Sequence, residues 1–472
     1  MSPAPRRPRT PRDTASARTR APRVQGARRV AFQVLRAVER DDAYANLLLP
    51  ALIAEAGLNP ADAGFATELT YGTLRRRGYY DRVLSLVVDR PLARLDPEVL
   101  DALRLGAHQL LGMRTPAHAA VSESVALVAA AGKGSATGFA NGVLRTLSRT
   151  GAGEWHARAI AGLDGDALRE VETAHPAWMI AALRDALTAD GRADELDDLL
   201  AADNLAPAVS LVALPGLAES AEVGEPGAVS PVGARSAGGD PAANPVVASG
   251  RARVQDEGSQ LAALALSRAR PVAPGERWLD LCAGPGGKAA LLGAEAAAGG
   301  ATLLANELVP ARAGLVRRAV AVLDPRPEVV EGDGIRFGDG AARFDRILLD
   351  APCTGLGALR RRPEARWRKQ PEDVPQLVAL QTALLDAAVA ALAPDGLLAY
   401  VTCSPHVAET REAVAGVLSR HPGLRAVDTP AVLAGIATRD LDLGPGMAAQ
   451  LWPHRHGTDA MFIQLLQRAD GV

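Results

Sequence analysis

The chain has 472 residues, enough for about three domains. Its 48% hydrophobic and 22% charged residues are ordinary for a globular protein and exclude a wholly disordered or fibrous chain. A net charge of −2 excludes a global positive field, so any nucleic-acid surface must be local. The three cysteines, Cys282, Cys353 and Cys403, are too few for a disulfide framework and suit a reducing compartment. No apolar run is expected to span a membrane and no secretory signal is expected, so the chain reads as a cytoplasmic monomer.

Residues 1–29 carry nine arginines among Pro, Ala, Ser and Thr, with Asp13 the single acid. Such a segment buries too little apolar surface to order itself and is expected to be a disordered arm, either solvated or touching RNA phosphates. Residues 30–150 read as an all-α domain. Val30, Val34, Leu35 and Val38 recur at helical spacing, and Asp96-Pro97 is an N-cap with proline at the first helical position. Three stretches in this region are Ala45-Asn46-Leu47-Leu48-Leu49, Tyr71-Gly72-Thr73-Leu74-Arg75 and Phe139-Ala140-Asn141-Gly142-Val143-Leu144-Arg145. They resemble the NusB-like RNA-binding domain, which implies a helical module that holds RNA. Residues 151–250 continue as a helical linker or small subdomain, and 216–250, rich in Gly, Pro, Ala and Ser, read as a flexible connection or an eroded subdomain.

From residue 251 to 472 short apolar runs alternate with helical stretches. The runs are Trp278–Leu281, Thr302–Ala305, Glu328–Val330, Ile347–Leu349 and Leu397–Val401, with Met461-Phe462-Ile463 as an edge strand. This alternation is the signature of βαβ units, a Rossmann-like α/β domain with a mostly parallel sheet.

The first strand runs into Cys282-Ala283-Gly284-Pro285-Gly286-Gly287-Lys288, a Gly-rich turn that admits a ligand to the backbone and opens a helix. The second strand ends in Asn306-Glu307, where an acid can accept from ribose hydroxyls, and the third in Gly332-Asp333-Gly334, where an acid can meet the adenine amine. These groups suit an adenosine cofactor of either kind, nicotinamide or S-adenosylmethionine. The fourth strand ends in Asp350-Ala351-Pro352-Cys353-Thr354-Gly355 and the fifth in Thr402-Cys403-Ser404-Pro405. If these strands are neighbours their tips lie about 4.8 Å apart and both thiols face one substrate. A cysteine pair so placed is more than two small core residues.

The segments 280–288, 350–355 and 402–404, with Val254-Gln255-Asp256-Glu257-Gly258-Ser259-Gln260 before them, resemble the RNA cytosine-5 methyltransferases of the Fmu/Sun type. With the NusB-like domain in front, the resemblance is nearest to the members acting on 16S ribosomal RNA. It implies S-adenosylmethionine as cofactor, held by Cys282–Lys288, Glu307, Asp333 and Asp350. It further implies Cys403 as the covalent nucleophile, Asp350 as the group meeting the base, and Cys353 as the group that assists release. Cys282 in the turn is expected to be structural.

The run Arg360-Arg361-Arg362-Pro363-Glu364-Ala365-Arg366-Trp367-Arg368-Lys369 follows the Cys353 loop and is expected to bind RNA, its cations on phosphates and Trp367 on a base or packed within the loop. The segment His454–Asp459 is read as a pocket wall with no metal. The family's second Ala of the cofactor turn is Gly284 here, expected to be harmless, and of the family's pattern after Cys403 only Glu409 keeps its place. A transfer RNA methyltransferase, a non-catalytic antitermination factor and a nicotinamide oxidoreductase are the rival readings.

Overall fold

The computed structural model describes residues 24–469. Most of the expected arm lies outside the described residues. Its last four residues belong to the first helix, Gly26–Asp41, because Ala27 joins Val30, Ala31, Val34, Leu35 and Val38 in one buried stripe. Arg28 is drawn in with them, its Nε donating to Gln109 Oε1 at 2.7 Å. All regular structure from there to Ser148 is helical. Pro97 opens the helix Pro97–Leu111 as its fixed φ favours, but the Asp96 side chain does not cap that helix; it pairs with Lys133 Nζ at 3.3 Å.

Of the two expectations for the Gly- and Pro-rich stretch, the small subdomain and not the flexible connection is what the structure shows. Strands β1 (Ser210–Ala213), β2 (Glu225–Pro226), β3 (Gly233–Arg235) and β4 (Ala252–Val254) form an antiparallel sheet in the order β2-β3-β1-β4. Glu257 secures it by accepting the N–H groups of Ala228, Val229 and Ser230 at 2.8–2.9 Å. Strands of two to four residues are too short to leave a period in the sequence. Because β4 pairs with β1, a boundary at residue 250 cuts one sheet in two.

The second sheet contains β5 (Arg277–Asp280), β6 (Thr302–Glu307), β7 (Glu328–Glu331), β8 (Phe344–Asp350), β9 (Leu392–Thr402), β10 (Leu424–Val427), β11 (Ala449–Gln450) and β12 (Phe462–Arg468). Its order is β10-β12-β9-β8-β5-β6-β7, with β11 against β12. The five strands from β9 to β7 are parallel, and their near-continuous apolar runs reflect helices on both faces. The last strand is not an edge strand as expected: β12 is bonded on both sides, to β9 and β10, and buries Phe462, Ile463, Leu465 and Leu466. The helix Asp373–Ala391 is long and apolar enough to cross a membrane, also unlike the expectation. Here it lies on the sheet, with Leu384, Leu385 and Ala388 packed among Leu349, Leu398 and Tyr400.

The basic run after Cys353 docks the helical domain. Trp367 Nε1 donates to Leu74 O at 2.7 Å, and its ring lies so close to Gly78 that a Cβ there would come within 2.6 Å. Arg366 donates to Arg75 O and Asp203 O at 3.0 and 2.9 Å, and Arg368 to Val38 O at 2.9 Å. In return Arg75 donates to Arg360 O at 3.3 Å and Ala45 N–H to Glu364 Oε1 at 3.3 Å. Trp367→Ala is expected to cost about 2–3 kcal/mol at this contact. Calorimetry should then resolve an earlier-melting helical domain; a single unshifted transition would refute the docking role.

Candidate active site

The site is assembled at the carboxyl ends of β5, β6, β7, β8 and β9, where open α/β sheets bind ligands. After β5 the chain turns through Cys282–Gly286 into the helix Gly287–Ala298. Gly286 has φ +106°, and a Cβ on it would fall 2.6 Å from Ala319 Cβ, so glycine is required there. Glu307 at the end of β6 is buried and grips this turn: its Oε2 accepts from Gly284 N at 2.9 Å and its Oε1 from Val309 N at 2.9 Å. Each oxygen keeps a second lone pair for a ribose hydroxyl. At Gly284 a Cβ would lie 2.2 Å from Glu307 Oε2, so an alanine there needs the end of that side chain to shift. Arg312 completes the grip, donating to Gly284 O at 2.7 Å and pairing with Glu307 at 3.5 Å. Asp333 is exposed and caps the turn after β7 through Ile335 N at 3.0 Å. Cys282 is structural in character, since burial pushes its thiol far up from the ordinary value.

Asp280, at the end of β5, carries chemistry that the strand pattern concealed. It is fully buried, neither carboxylate oxygen has a partner, and burial, with Asp350 nearby, raises its pKa to about 8. Its position two residues before the turn was the available signal. Lys288 Nζ donates to Asp350 Oδ2 at 2.8 Å; burial opposes the ammonium charge, but Asp350 and its neighbours hold it in place. Asp280, Glu307, Asp333 and Asp350 thus ring the strand ends with acids. The unpartnered oxygens of Asp280 fit a ligand that brings hydrogen-bond donors or a cation, such as the ammonium of S-adenosylmethionine.

β8 and β9 are neighbours in parallel register, with Asp350 opposite Val401, so their loops rise side by side. Cys353 Sγ and Cys403 Sγ lie 3.5 Å apart. Their environments differ. The hydrogen bond from Cys353 lowers Cys403 against the opposing effects of burial and Asp350, and Arg362 and Lys288 lower it further. The same hydrogen bond, with burial, holds Cys353 well above a free thiol. The difference favours loss of the proton from Cys403 before Cys353. The loops are clipped together beneath the thiols: Glu409, fully buried, accepts from Thr354 N at 2.8 Å, Thr354 Oγ1 at 2.5 Å and Gln381 Nε2 at 3.2 Å. Thr354 Oγ1 also meets Ser404 Oγ at 2.9 Å. The isolated Glu409 of the sequence is therefore a loop clamp and not an RNA contact.

The structure corrects most of the proposed RNA-binding run. Arg360, Arg366, Trp367 and Arg368 are spent on the carbonyls of Gly457, Arg75, Asp203, Leu74 and Val38, so their donors face protein and not phosphate. Arg361 is held by Asp459, whose own N–H donates to Asp256 Oδ1 at 3.0 Å. Within this run, two cations keep head groups without a hydrogen-bond or ion-pair partner. Arg362 stands over the half-exposed Tyr44 ring, 5.4 Å from its centroid, and Lys369 is half-buried. His454 pairs with Glu195 at 2.8 Å, and His456 bonds Trp452 N and Leu441 O. Among the described residues no three metal-ligating side chains cluster.

Residues 270–467 match the family described as 16S rRNA methyltransferase RsmB/F, and residues 25–149 match the NusB family. Rv1407 of Mycobacterium tuberculosis, whose name gives no substrate, is 47% identical over 461 residues, covering 96% of this chain and 99% of that one. Ribosomal RNA small subunit methyltransferase B of Pseudomonas putida is 33% identical over 420 residues, covering 85% and 91%. The crystal structure of PH0851 shares the fold, with a TM-score of 0.78 at 21% identity over 94% of this chain and 98% of that one. The chain belongs to the RsmB/F family of S-adenosylmethionine-dependent RNA methyltransferases, with a NusB-family domain ahead of the catalytic one.

Proposed function

We propose that this enzyme methylates carbon 5 of a cytosine in small-subunit ribosomal RNA, in the cytoplasm, through a covalent adduct with Cys403. The observation that carries the reading is the pair of thiols 3.5 Å apart on adjacent strand ends, polarised toward a Cys403 thiolate. The ribosomal target is supported by the NusB-family domain and by the named function of the Pseudomonas putida relative.

Carbon 5 of cytosine is too weak a nucleophile to take a methyl unaided. The Cys403 thiolate adds to carbon 6, forming the C–S bond while the ring π pair moves toward carbon 5 and the N3 side. Asp350 accepts the exocyclic N–H and orients the base, and the Lys288 ammonium beside it balances the charge gathering on the ring. S-adenosylmethionine, held by Cys282–Lys288, Glu307, Asp333 and Asp350, supplies the electrophilic methyl. Once Cys403 is a thioether, it no longer holds the proton on Cys353. Cys353 loses that proton to solvent and then takes the proton from carbon 5. The C–H pair restores the ring double bond, and the C–S pair returns to Cys403. The target base must leave its stack to reach Cys403, so the RNA is locally unpaired or flipped. Arg362 and Lys369 are the members of the basic run able to meet its phosphates.

Transfer of labelled methyl to undermethylated 30S RNA should fall about 1,000-fold or more in Cys403→Ala. Cys353→Ala should instead accumulate an RNA–protein adduct that survives denaturing electrophoresis. Full activity in Cys403→Ala, or no adduct in Cys353→Ala, would refute the respective role. Alkylation of Cys403 by iodoacetamide should rise with pH to a plateau whose midpoint lies below the free-thiol value of about 8.5. Cys353→Ala removes the donor that favours the thiolate and should move that midpoint upward; no movement would contradict the polarised pair.

A further inference from the structure

The segment Val254–Gln260 is distinctive in the sequence, and the chemistry above leaves it without a task. Three of its polar side chains have structural duties. Asp256 accepts from Gly258 N and Asp459 N at 3.0 Å, and Glu257 gathers the N–H groups of residues 228–230. Gln260 Nε2 donates to Leu211 O and Gln255 O at 3.1 and 2.9 Å. Gln255 differs. Its backbone is tied down, with N donating to Ser210 O at 3.0 Å and O receiving Gln260, yet neither Nε2 nor Oε1 has a partner. The side chain is only 7% exposed. Native proteins rarely leave a buried carboxamide unpaired at both ends, so such a group calls for a partner from outside the chain.

The direction in which Gln255 faces names that ligand. Its carboxamide atoms lie 3.7–3.9 Å from the point a Cβ on Gly287 would occupy. Gly287 is the first residue of the helix that the cofactor turn opens, and a helix N-terminus favours a negatively charged group. The amino-acid end of S-adenosylmethionine is a zwitterion, with a carboxylate that needs donors and an ammonium that needs acceptors. A carboxamide offers one of each, whichever way it is flipped.

We propose that Gln255 holds the amino-acid end of the cofactor, Nε2 donating to its carboxylate and Oε1 accepting from its ammonium. The inference rests on the methyltransferase reading and adds a residue from outside the Gly-rich turn and the acid ring.

The test uses the full chain and two probes in calorimetry: S-adenosylhomocysteine, and methylthioadenosine, which has the same nucleoside thioether without the amino-acid end. Gln255→Ala should weaken S-adenosylhomocysteine about tenfold or more, equivalent to about 1.4 kcal/mol, and leave methylthioadenosine unchanged. Gln255→Met, similar in size, should show the same split and melt without ligand at or above the temperature of the parent, because it removes a buried group that lacks a partner. Equal losses for both probes, or a lowered melting temperature in Gln255→Met, would make Gln255 a structural residue and overturn the proposal. Unchanged S-adenosylhomocysteine affinity in Gln255→Ala would overturn it while leaving the methyltransferase reading intact. Failure of the parent protein to bind S-adenosylhomocysteine would overturn both.

Discussion

The parallel pairing of β8 with β9 sets the geometry on which everything else in the site depends. With Asp350 opposite Val401, the two strands end level, and the loops that follow cross the top of the sheet together. A shift of one residue would turn the Cys403 side of β9 to the other face and separate the thiols. The register is secured below by buried apolar pairs, among them Leu348 with Ala399 and Leu349 with Tyr400, and above by Glu409, which binds one loop from the other. A carboxylate buried at that depth is costly unless its lone pairs are used. Glu409 uses them on Thr354 and Gln381, and it orders the Cys353 loop by doing so.

The local charge map follows from that placement. Two equivalent thiols in water would titrate alike. Here one donates to the other, and the accepting thiol faces Lys288 and Arg362 while Asp350 opposes them. Lys288 belongs to the cofactor helix and Asp350 to the substrate strand, so their ion pair joins the two halves of the site. The cofactor half mixes acids, Asp280, Glu307 and Asp333, with the cations Lys288 and Arg312. Its buried, unpartnered Asp280 and the Gln255 carboxamide are polar groups that the fold alone leaves unsatisfied.

The helical domain is fastened beside this centre by the segment that leaves the Cys353 loop. Arginines that resemble an RNA-binding run in one dimension have their donors taken up in three by carbonyl oxygens of the other domain and of the linker. Guanidinium groups suit such contacts because five donors in a rigid fork can satisfy several carbonyls at once. The contact also carries Tyr44, from the helical domain, up to Arg362, whose charge acts on Cys403. The orientation of the front domain toward the methyltransferase domain is therefore set by the segment that leaves the Cys353 loop.

Patterns that repeat along the chain were legible from the sequence. Helical stripes marked the front domain, and apolar runs marked the parallel strands, because burial on a helix face or within a sheet imposes a period on neighbouring residues. The Gly-rich turn, Glu307, Asp333, Asp350 and both cysteines were legible for a related reason, since strand ends in an open α/β sheet converge on one edge. The small sheet from Ser210 to Val254 was not, because strands of two to four residues have no period to read. The edge assignment of β12 failed because the neighbour on its far side, β10, is a four-residue, partly exposed strand that leaves no apolar run to read. Composition determined that residues 360–369 are basic, but only the tertiary structure decided which of those charges remain free, because pairing depends on carbonyls and carboxylates hundreds of residues away. The same holds for Asp280, Gln255 and Glu409: their residue types are in the sequence, but whether each is partnered, orphaned or clamped is fixed by burial and distance in three dimensions.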